Sequence, residues 1–236
     1  FVEGYLWHNW GYIGKNASVR DGKIVFDSED KDKYNYPRYV VTNLLEELDV
    51  PGEYYIDREN KRLYYYPIEN GNLDDIFITA GNSPVITVDG SSNIVFDGID
   101  VVNARGAAYE ISKGTDITIS NANISNIYAP YAVNISNSSN VIVDRCKLNG
   151  LAAGGVRLDG GNALNNFARG ENKVQNCEIY DFSKIRKTYF PAVYIAGCGN
   201  TAASNVIHDA PHSAIIFSGN DHVIEHNNIY DVVKDS

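Results

Sequence analysis

Ala132-Val133-Asn134-Ile135, then Val141-Ile142-Val143, then Cys146-Lys147-Leu148, is the stretch whose reading decides the fold. A small residue, an apolar residue, a free position and an apolar residue open the block. Two further apolar alternations follow, the period-two signature of strands. The opening tetrad recurs as Ala108-Tyr109-Glu110-Ile111, Gly155-Val156-Arg157-Leu158, Ala192-Val193-Tyr194-Ile195 and Ala214-Ile215-Ile216-Phe217, with Val85-Ile86-Thr87-Val88 as an earlier copy. The last residues fall at 88, 111, 135, 158, 195 and 217, in steps of 23, 24, 23, 37 and 22. Insertions around Gly160–Gly170 and Ser183–Tyr189 explain the single long step.

A second ladder runs alongside: Phe96/Ile99/Val101, Ile119/Ala122/Ile124, Val143/Cys146/Leu148, Val174/Cys177/Ile179, Ala202/Asn205/Ile207 and Ile224/Asn227/Ile229. Turns of one length join the two ladders, from Ile111 to Ile117, Ile135 to Val141 and Phe217 to Val223. A fixed period with two strands per repeat predicts a solenoid. A leucine-rich repeat would demand a Leu-rich consensus and a helical turn, and neither is present. The expected fold is all-β: a right-handed parallel β-helix over residues 76–236, with Asn205 and Asn227 hydrogen-bonded along the stack.

Residues 1–75 read as a small, mainly β N-terminal region. Tyr5-Leu6-Trp7-His8-Asn9-Trp10-Gly11-Tyr12 is too aromatic for a linker, and Lys23–Phe26 reads as a strand. Asp27 to Tyr36 reads as a polar loop. Thr42 is placed to cap one short helix over Asn43–Leu48. A hairpin over residues 53–67 follows, turning across Arg58 to Lys61.

Composition narrows the partners. The net charge is −10, from 20 Lys and Arg against 30 Asp and Glu, and no basic run exists, so no nucleic-acid partner is expected. No apolar stretch approaches the roughly 20 residues of a spanning helix, so no membrane span is expected. Cys146, Cys177 and Cys198 match neither a disulfide framework nor a zinc spacing, and at least two of them read as buried small residues. Phe1 follows no leader, and the last strand pair ends without a cap, so the natural protein is expected to continue beyond Ser236.

Two groups of residues are candidates for chemistry. The outward positions of the first ladder, Glu110, Asn134, Arg157, Tyr194 and Ile216, fall on one face about 4.8 Å apart per coil. A line of polar, cationic and aromatic groups suits an extended glycan. His208, His212, His222 and His226 gather near Asp209, Asp221 and Glu225, but the spacing belongs to turns and strands, and no metal site is assigned. An Asp recurs in Ile179-Tyr180-Asp181, Ile207-His208-Asp209 and Ile229-Tyr230-Asp231. For Asp181 and Asp209 the expected role is to accept turn backbone N–H groups. His212 lies in the turn before a strand. Carboxylates at equivalent positions of adjacent coils would have the spacing that paired-carboxylate hydrolysis needs.

Asn43 to Asp57 with Arg62 to Pro67, and Asn205 to Ile215 with Gly219 to Val233, resemble blocks in bacterial secreted parallel β-helix proteins similar to glycoside hydrolases of the β-xylosidase and related polysaccharide-degrading families. The resemblance implies a secreted or cell-surface bacterial protein acting on polysaccharide or oligosaccharide, without a cofactor. In such enzymes the catalytic carboxylates lie on successive coils, and counting coils puts one of them just after Ser236. His212 and Asp209 take over a substrate-lining role from the resemblance and are the catalytic candidates, with the nucleophile unassigned. Glu110, Asn134, Arg157, Tyr194 and His212 make up the expected substrate-binding set. Two alternatives use the same fold. A polysaccharide lyase would need calcium and a base such as Arg157, Arg186 or Lys187. A non-catalytic glycan-binding or adhesin β-helix would need neither.

Overall fold

A computed structural model describes residues 2–7, 10–14, 17–21, 23–26, 38–72 and 76–234; the loop expected over Asp27 to Tyr36 lies outside the described residues. The chain divides into two units, Phe1–Ile78 and Thr79–Ser236. In the first, β1 (Val2–Trp7) pairs antiparallel with β2 (Trp10–Gly14). β3 (Ala17–Arg20) and β4 (Lys23–Phe26) form a second antiparallel pair, and β5 (Arg38–Val41) joins the other edge of β1. The expected helix is a single 3₁₀ turn, Leu45–Glu47, capped by no side chain. Asn43 explains the difference. Its backbone is left-handed (φ 60°), and its amide is spent on Ile56, accepting from N–H at 2.7 Å and donating to C=O at 3.0 Å. Those bonds tie residue 43 to β6 (Tyr54–Asp57), which pairs with β7 (Arg62–Tyr65) in the expected hairpin.

The second unit is the right-handed parallel β-helix. Its first coil runs through β8 (Ile86–Asp89), β9 (Ser92–Asp97) and β10 (Val101–Ala104), and the second through β11 (Tyr109–Ser112), β12 (Thr115–Ser120) and β13 (Asn123–Ile127). The third holds β14 (Tyr131–Ser136), β15 (Ser139–Asp144) and β16 (Lys147–Asn149), and the fourth β17 (Gly154–Gly160), β18 (Lys173–Gln175) and β19 (Glu178–Tyr180). The fifth holds β20 (Val193–Gly197), β21 (Thr201–Ala203) and β22 (Val206–His208), and the sixth β23 (Ile215–Phe217), β24 (Val223–Glu225) and β25 (Asn228–Tyr230). First, second and third strands stack into three parallel sheets, here I, II and III. The first ladder stacks in the register read from sequence, Val88 on Ile111, Ile135, Leu158, Ile195 and Phe217.

Each coil therefore has three strands, where the sequence pattern suggested two. The second ladder bends once, at Gly98, Asn121, Arg145, Asn176, Ser204 and His226, and all six residues have positive φ. Asn103, Asn126, Gly150, Asp181, Asp209 and Asp231 form a second such column, and Asn93, Asp116, Asn140, Glu171, Gly199 and Asp221 a third. Left-handed backbone strains residues with a Cβ, Asn and Asp least. This requirement accounts for the recurring Asp. Its backbone makes the corner, while the Asp181 carboxylate accepts from Lys184 and that of Asp209 from His208 and Lys234, instead of the turn N–H groups expected.

Inside, the three sheets enclose one apolar stack. Tyr109, Ile111, Ile119, Ile124, Val133, Ile135, Val143, Leu148, Val156, Leu158, Ile179 and Ile195 are all fully buried. Two polar ladders cross this core at the corners. Beside the bend between sheets II and III, Cys146 N–H donates to Cys177 Sγ (3.4 Å), Cys177 N–H to Asn205 Oδ1 (3.0 Å) and Asn205 N–H to Asn227 Oδ1 (3.0 Å). At the entry to sheet II, Val141 N–H donates to Asn172 Oδ1 (3.0 Å), Asn172 N–H to Asn200 Oδ1 (3.1 Å) and Asn200 N–H to His222 Nδ1 (3.1 Å). All three cysteines are buried and free, where the sequence suggests burial for at least two. Among the described residues no helix is long and apolar enough to cross a membrane.

Asn205 tests the ladder. Its amide also donates to Val174 C=O at 3.1 Å, so Asn205→Leu leaves the buried Cys177 N–H without its acceptor and removes a donor from Val174 C=O. The expected cost is about 2–4 kcal/mol, read from urea unfolding midpoints, although the substitution adds apolar volume.

Candidate functional site

On sheet I, strand alternation turns one residue in two away from the core. The register places Thr87, Glu110, Asn134, Arg157, Tyr194 and Ile216 in a single outward column, so the four sheet residues expected to line a ligand do share a row. A parallel column two residues on carries Asp89, Ser112, Ser136, Asp159 and Ala196.

The side chains engage one another along the axis. Asn134 Nδ2 donates to Glu110 Oε1 at 2.6 Å, while Asn134 Oδ1 is buried without a protein partner. Arg157 Nη2 donates to Asp159 Oδ2 at 2.6 Å in a half-buried ion pair, and its guanidinium lies 5.9 Å from the centre of the Tyr194 ring. Tyr194 belongs to an aromatic group: Tyr131 lies 6.2 Å from both Tyr194 and Phe190. Gly154 makes room for this group, because a Cβ there would come within 2.5 Å of the Tyr131 ring. Burial raises the Tyr131 hydroxyl to about 12, with the neighbouring Tyr194 adding to it, so it stays protonated and able to donate.

Two insertions border this part of sheet I. Residues 161–172 leave from the end of β17, and residues 181–192 lead into β20. The first is tied down by Asn220 Nδ2 to Ala163 C=O and by Cys198 Sγ to Phe167 C=O. In the second, Phe182 is buried, Arg186 lies over Phe190, and Tyr189 meets His212 edge-on at 5.1 Å. His212 thus meets the second insertion through Tyr189, with Nδ1 2.8 Å from Ser213 Oγ.

The histidine-rich region does not form one centre. His222 accepts Asn200 N–H in the core ladder, and His226 occupies an exposed corner. His208 is stacked on the outer face of sheet III between Tyr180 (5.0 Å, 5°) and Tyr230 (4.8 Å, 6°), with Nδ1 2.8 Å from Asp209 and Nε2 3.6 Å from Glu178. Among the described residues no three His, Cys, Asp or Glu side chains are arranged to hold a metal ion. Asp209 and His212 have separate partners. Lys234 first, and then His208, hold the Asp209 carboxyl below its ordinary value of 3.8. It is thus an anion near neutral pH.

Sequence reasoning missed the Asp159 clamp on Arg157, the contribution of Tyr131 and Phe190, and the stacked Tyr180–His208–Tyr230 column. The repeated Ile-Tyr/His-Asp motif carried a signal for the last, because equal phase in successive coils stacks aromatic rings.

A comparison with protein families matches residues 64–184 to the family described as a right-handed β-helix region. The match covers a little more than half of the chain, and the chain belongs to that family. No curated protein and no solved structure matches it.

Lys234 and Asp209 provide a titration test. A group whose folded pKa is depressed stabilises the fold above its unfolded value and loses that contribution as pH falls through the folded one. Lys234→Met should therefore move the Asp209 carboxyl midpoint, followed by NMR, upward toward 3.8 and shrink the acid-dependent loss of stability attached to it. An unchanged midpoint would mean the pair does not persist in solution.

Proposed function

We propose that this member of the right-handed β-helix family is a carbohydrate-active protein that holds an extended oligosaccharide or polysaccharide along the outer face of sheet I. The observation that carries the reading is the half-buried Arg157 guanidinium, fixed by Asp159 and facing the Tyr194 ring, beside Tyr131 and Phe190. A fixed guanidinium and carboxylate pair offers several donors and acceptors to sugar hydroxyls, and aromatic faces receive the C–H face of a pyranose. Glu110 and Asn134 extend the polar contacts by two coils, and His212 joins through Tyr189 of the second insertion. The axial repeat of about 4.8 Å spreads these contacts along a chain-shaped ligand.

The finer reading is glycoside hydrolysis, supported by Asp181, Asp209 and Asp231 standing at one position of three successive coils. A step of about 4.8 Å is close to the spacing of about 5–5.5 Å between retaining carboxyl groups. Such a pair needs one protonated member, and Asp209, paired to Lys234, takes the role of the anion. A calcium-dependent lyase has less support, because the candidate base Arg157 is neutralised by Asp159. A secreted or cell-surface place in a bacterium belongs to the same proposal and rests on the resemblance of the coil and hairpin blocks.

Binding and turnover separate these readings. Against xylan- and pectin-derived oligosaccharides, Tyr194→Ala and Arg157→Ala should each weaken binding about tenfold, a loss of about 1.4 kcal/mol, with unfolding midpoints near wild type. Hydrolysis of the same panel and of aryl glycosides, abolished by Asp209→Asn, would establish the hydrolase. Binding without turnover would leave a glycan-binding module, and wild-type binding by Tyr194→Ala would overturn the site.

A further inference from the structure

Cys146 and Cys177 take no part in the glycan-binding face, yet they are placed against one another in the core. The pairs Asp144–Gln175 and Lys147–Glu178 bracket them in register, so the two cysteines occupy the same corner position of coils three and four. Residues in register on neighbouring parallel strands have Cα atoms about 4.8 Å apart. Disulfides bridge Cα separations of about 4.4–6.8 Å. The Cys177 sulfur leans back toward the third coil, 3.4 Å from Cys146 N and 3.7 Å from Val143 C=O. Cys146 Sγ lies 3.4 Å from Asp144 C=O in its own coil and 3.7 Å from Ile119 C=O in the second, so its side chain turns from the second coil toward the fourth to meet the Cys177 sulfur, with no shift of register. Cys198 has no such partner: its sulfur meets Phe167 C=O under the first insertion.

We propose that Cys146 and Cys177 are a reversible oxidation site that closes an axial disulfide between the third and fourth coils. The neighbouring Cys177 side chain lowers Cys146, while the Cys146 side chain and burial push Cys177 well up. Cys146 is therefore the nucleophile. Both residues are almost wholly buried, so the oxidant must be small, and hydrogen peroxide fits. The Cys146 thiolate attacks one peroxide oxygen; the O–O bond breaks, leaving a sulfenic acid and hydroxide. Hydroxide takes the Cys177 proton. The Cys177 sulfur then attacks the Cys146 sulfur and expels its hydroxide, which leaves as water on gaining the proton that Cys146 lost on ionising. Two thiols and one peroxide become one disulfide and two waters. The link fastens the third and fourth coils at the bend between sheets II and III, one strand after the 161–172 insertion returns, and a thiol reductant reverses it.

Treating the intact chain with hydrogen peroxide, then denaturing, alkylating and digesting it for mass spectrometry, tests the site. The expected product is a Cys146–Cys177 linked peptide, 2 Da lighter than the two thiol peptides, with Cys198 alkylated, reversal by dithiothreitol, and the same linkage in Cys198→Ser. In Cys177→Ser the reaction should stop at a Cys146 sulfenic acid that dimedone captures. Three alkylated thiols after treatment, a link through Cys198, or sulfinic acid at Cys146 in the wild-type chain without any link would overturn the proposal.

Discussion

The structure depends on how backbone N–H groups are satisfied at the corners. Along the strands, each coil pairs with the next and the accounting closes by itself. At a left-handed corner the chain turns sharply, and the following N–H points along the axis with no strand carbonyl to meet it. Side chains one coil onward supply the acceptors: Cys177, Asn205 and Asn227 on one edge, Asn172, Asn200 and His222 on the other. Cys177, Asn172, Asn200 and Asn205 are buried, so an unmade bond at any of them would carry a full desolvation cost, and each made bond fixes the register of two coils. The ladders hold the stack in phase.

Phase is what turns a repeat into a surface. Because Glu110, Asn134, Arg157 and Tyr194 occupy the same position of successive strands, a one-residue slip would bury them and expose Ile111, Ile135, Leu158 and Ile195. The apolar cost of that slip keeps the outward row outward. Within the row, neighbours one coil apart are close enough to choose each other: Glu110 takes Asn134, and Arg157, flanked by Tyr194, takes Asp159 two residues along its own strand. The charges are thereby fixed in place by their neighbours within the protein.

Much of this was legible in the sequence, and the failures have a common cause. The first ladder could be read because its tetrad combines a small residue with two inward apolar positions, and all six copies stack as aligned. The corner within the second ladder was invisible. Left-handed backbone there is borne by Arg145, Ser204 and His226 as well as by Gly98, Asn121 and Asn176, so no uniform turn residue marks it. Asn205 and Asn227 were recognised as a ladder, while Asn172, Asn200 and His222 were not. The long insertion and the change from Asn to His hid a column that the stacking makes obvious. The short helix failed for a different reason. A helical pattern over Asn43–Leu48 competes with two hydrogen bonds from the Asn43 amide to a strand thirteen residues away, and the long-range bonds win.

Both insertions fall at corners, and both fall beside the fourth and fifth coils. A solenoid closes by contacts between neighbouring coils, so a loop that leaves and returns at a corner leaves the register above and below intact. Val156 still pairs with Val193 and Val143 with Val174, although the chain makes an excursion between each pair. Corners are therefore where this architecture accepts added shape at low cost. Phe190 and Tyr189 arrive on one such excursion and meet Tyr131 and His212, residues of the regular coils. The aromatic part of sheet I is thus made by irregular chain resting on a regular frame. A ligand site in this molecule is expected at such a meeting, because the frame alone offers only a flat row.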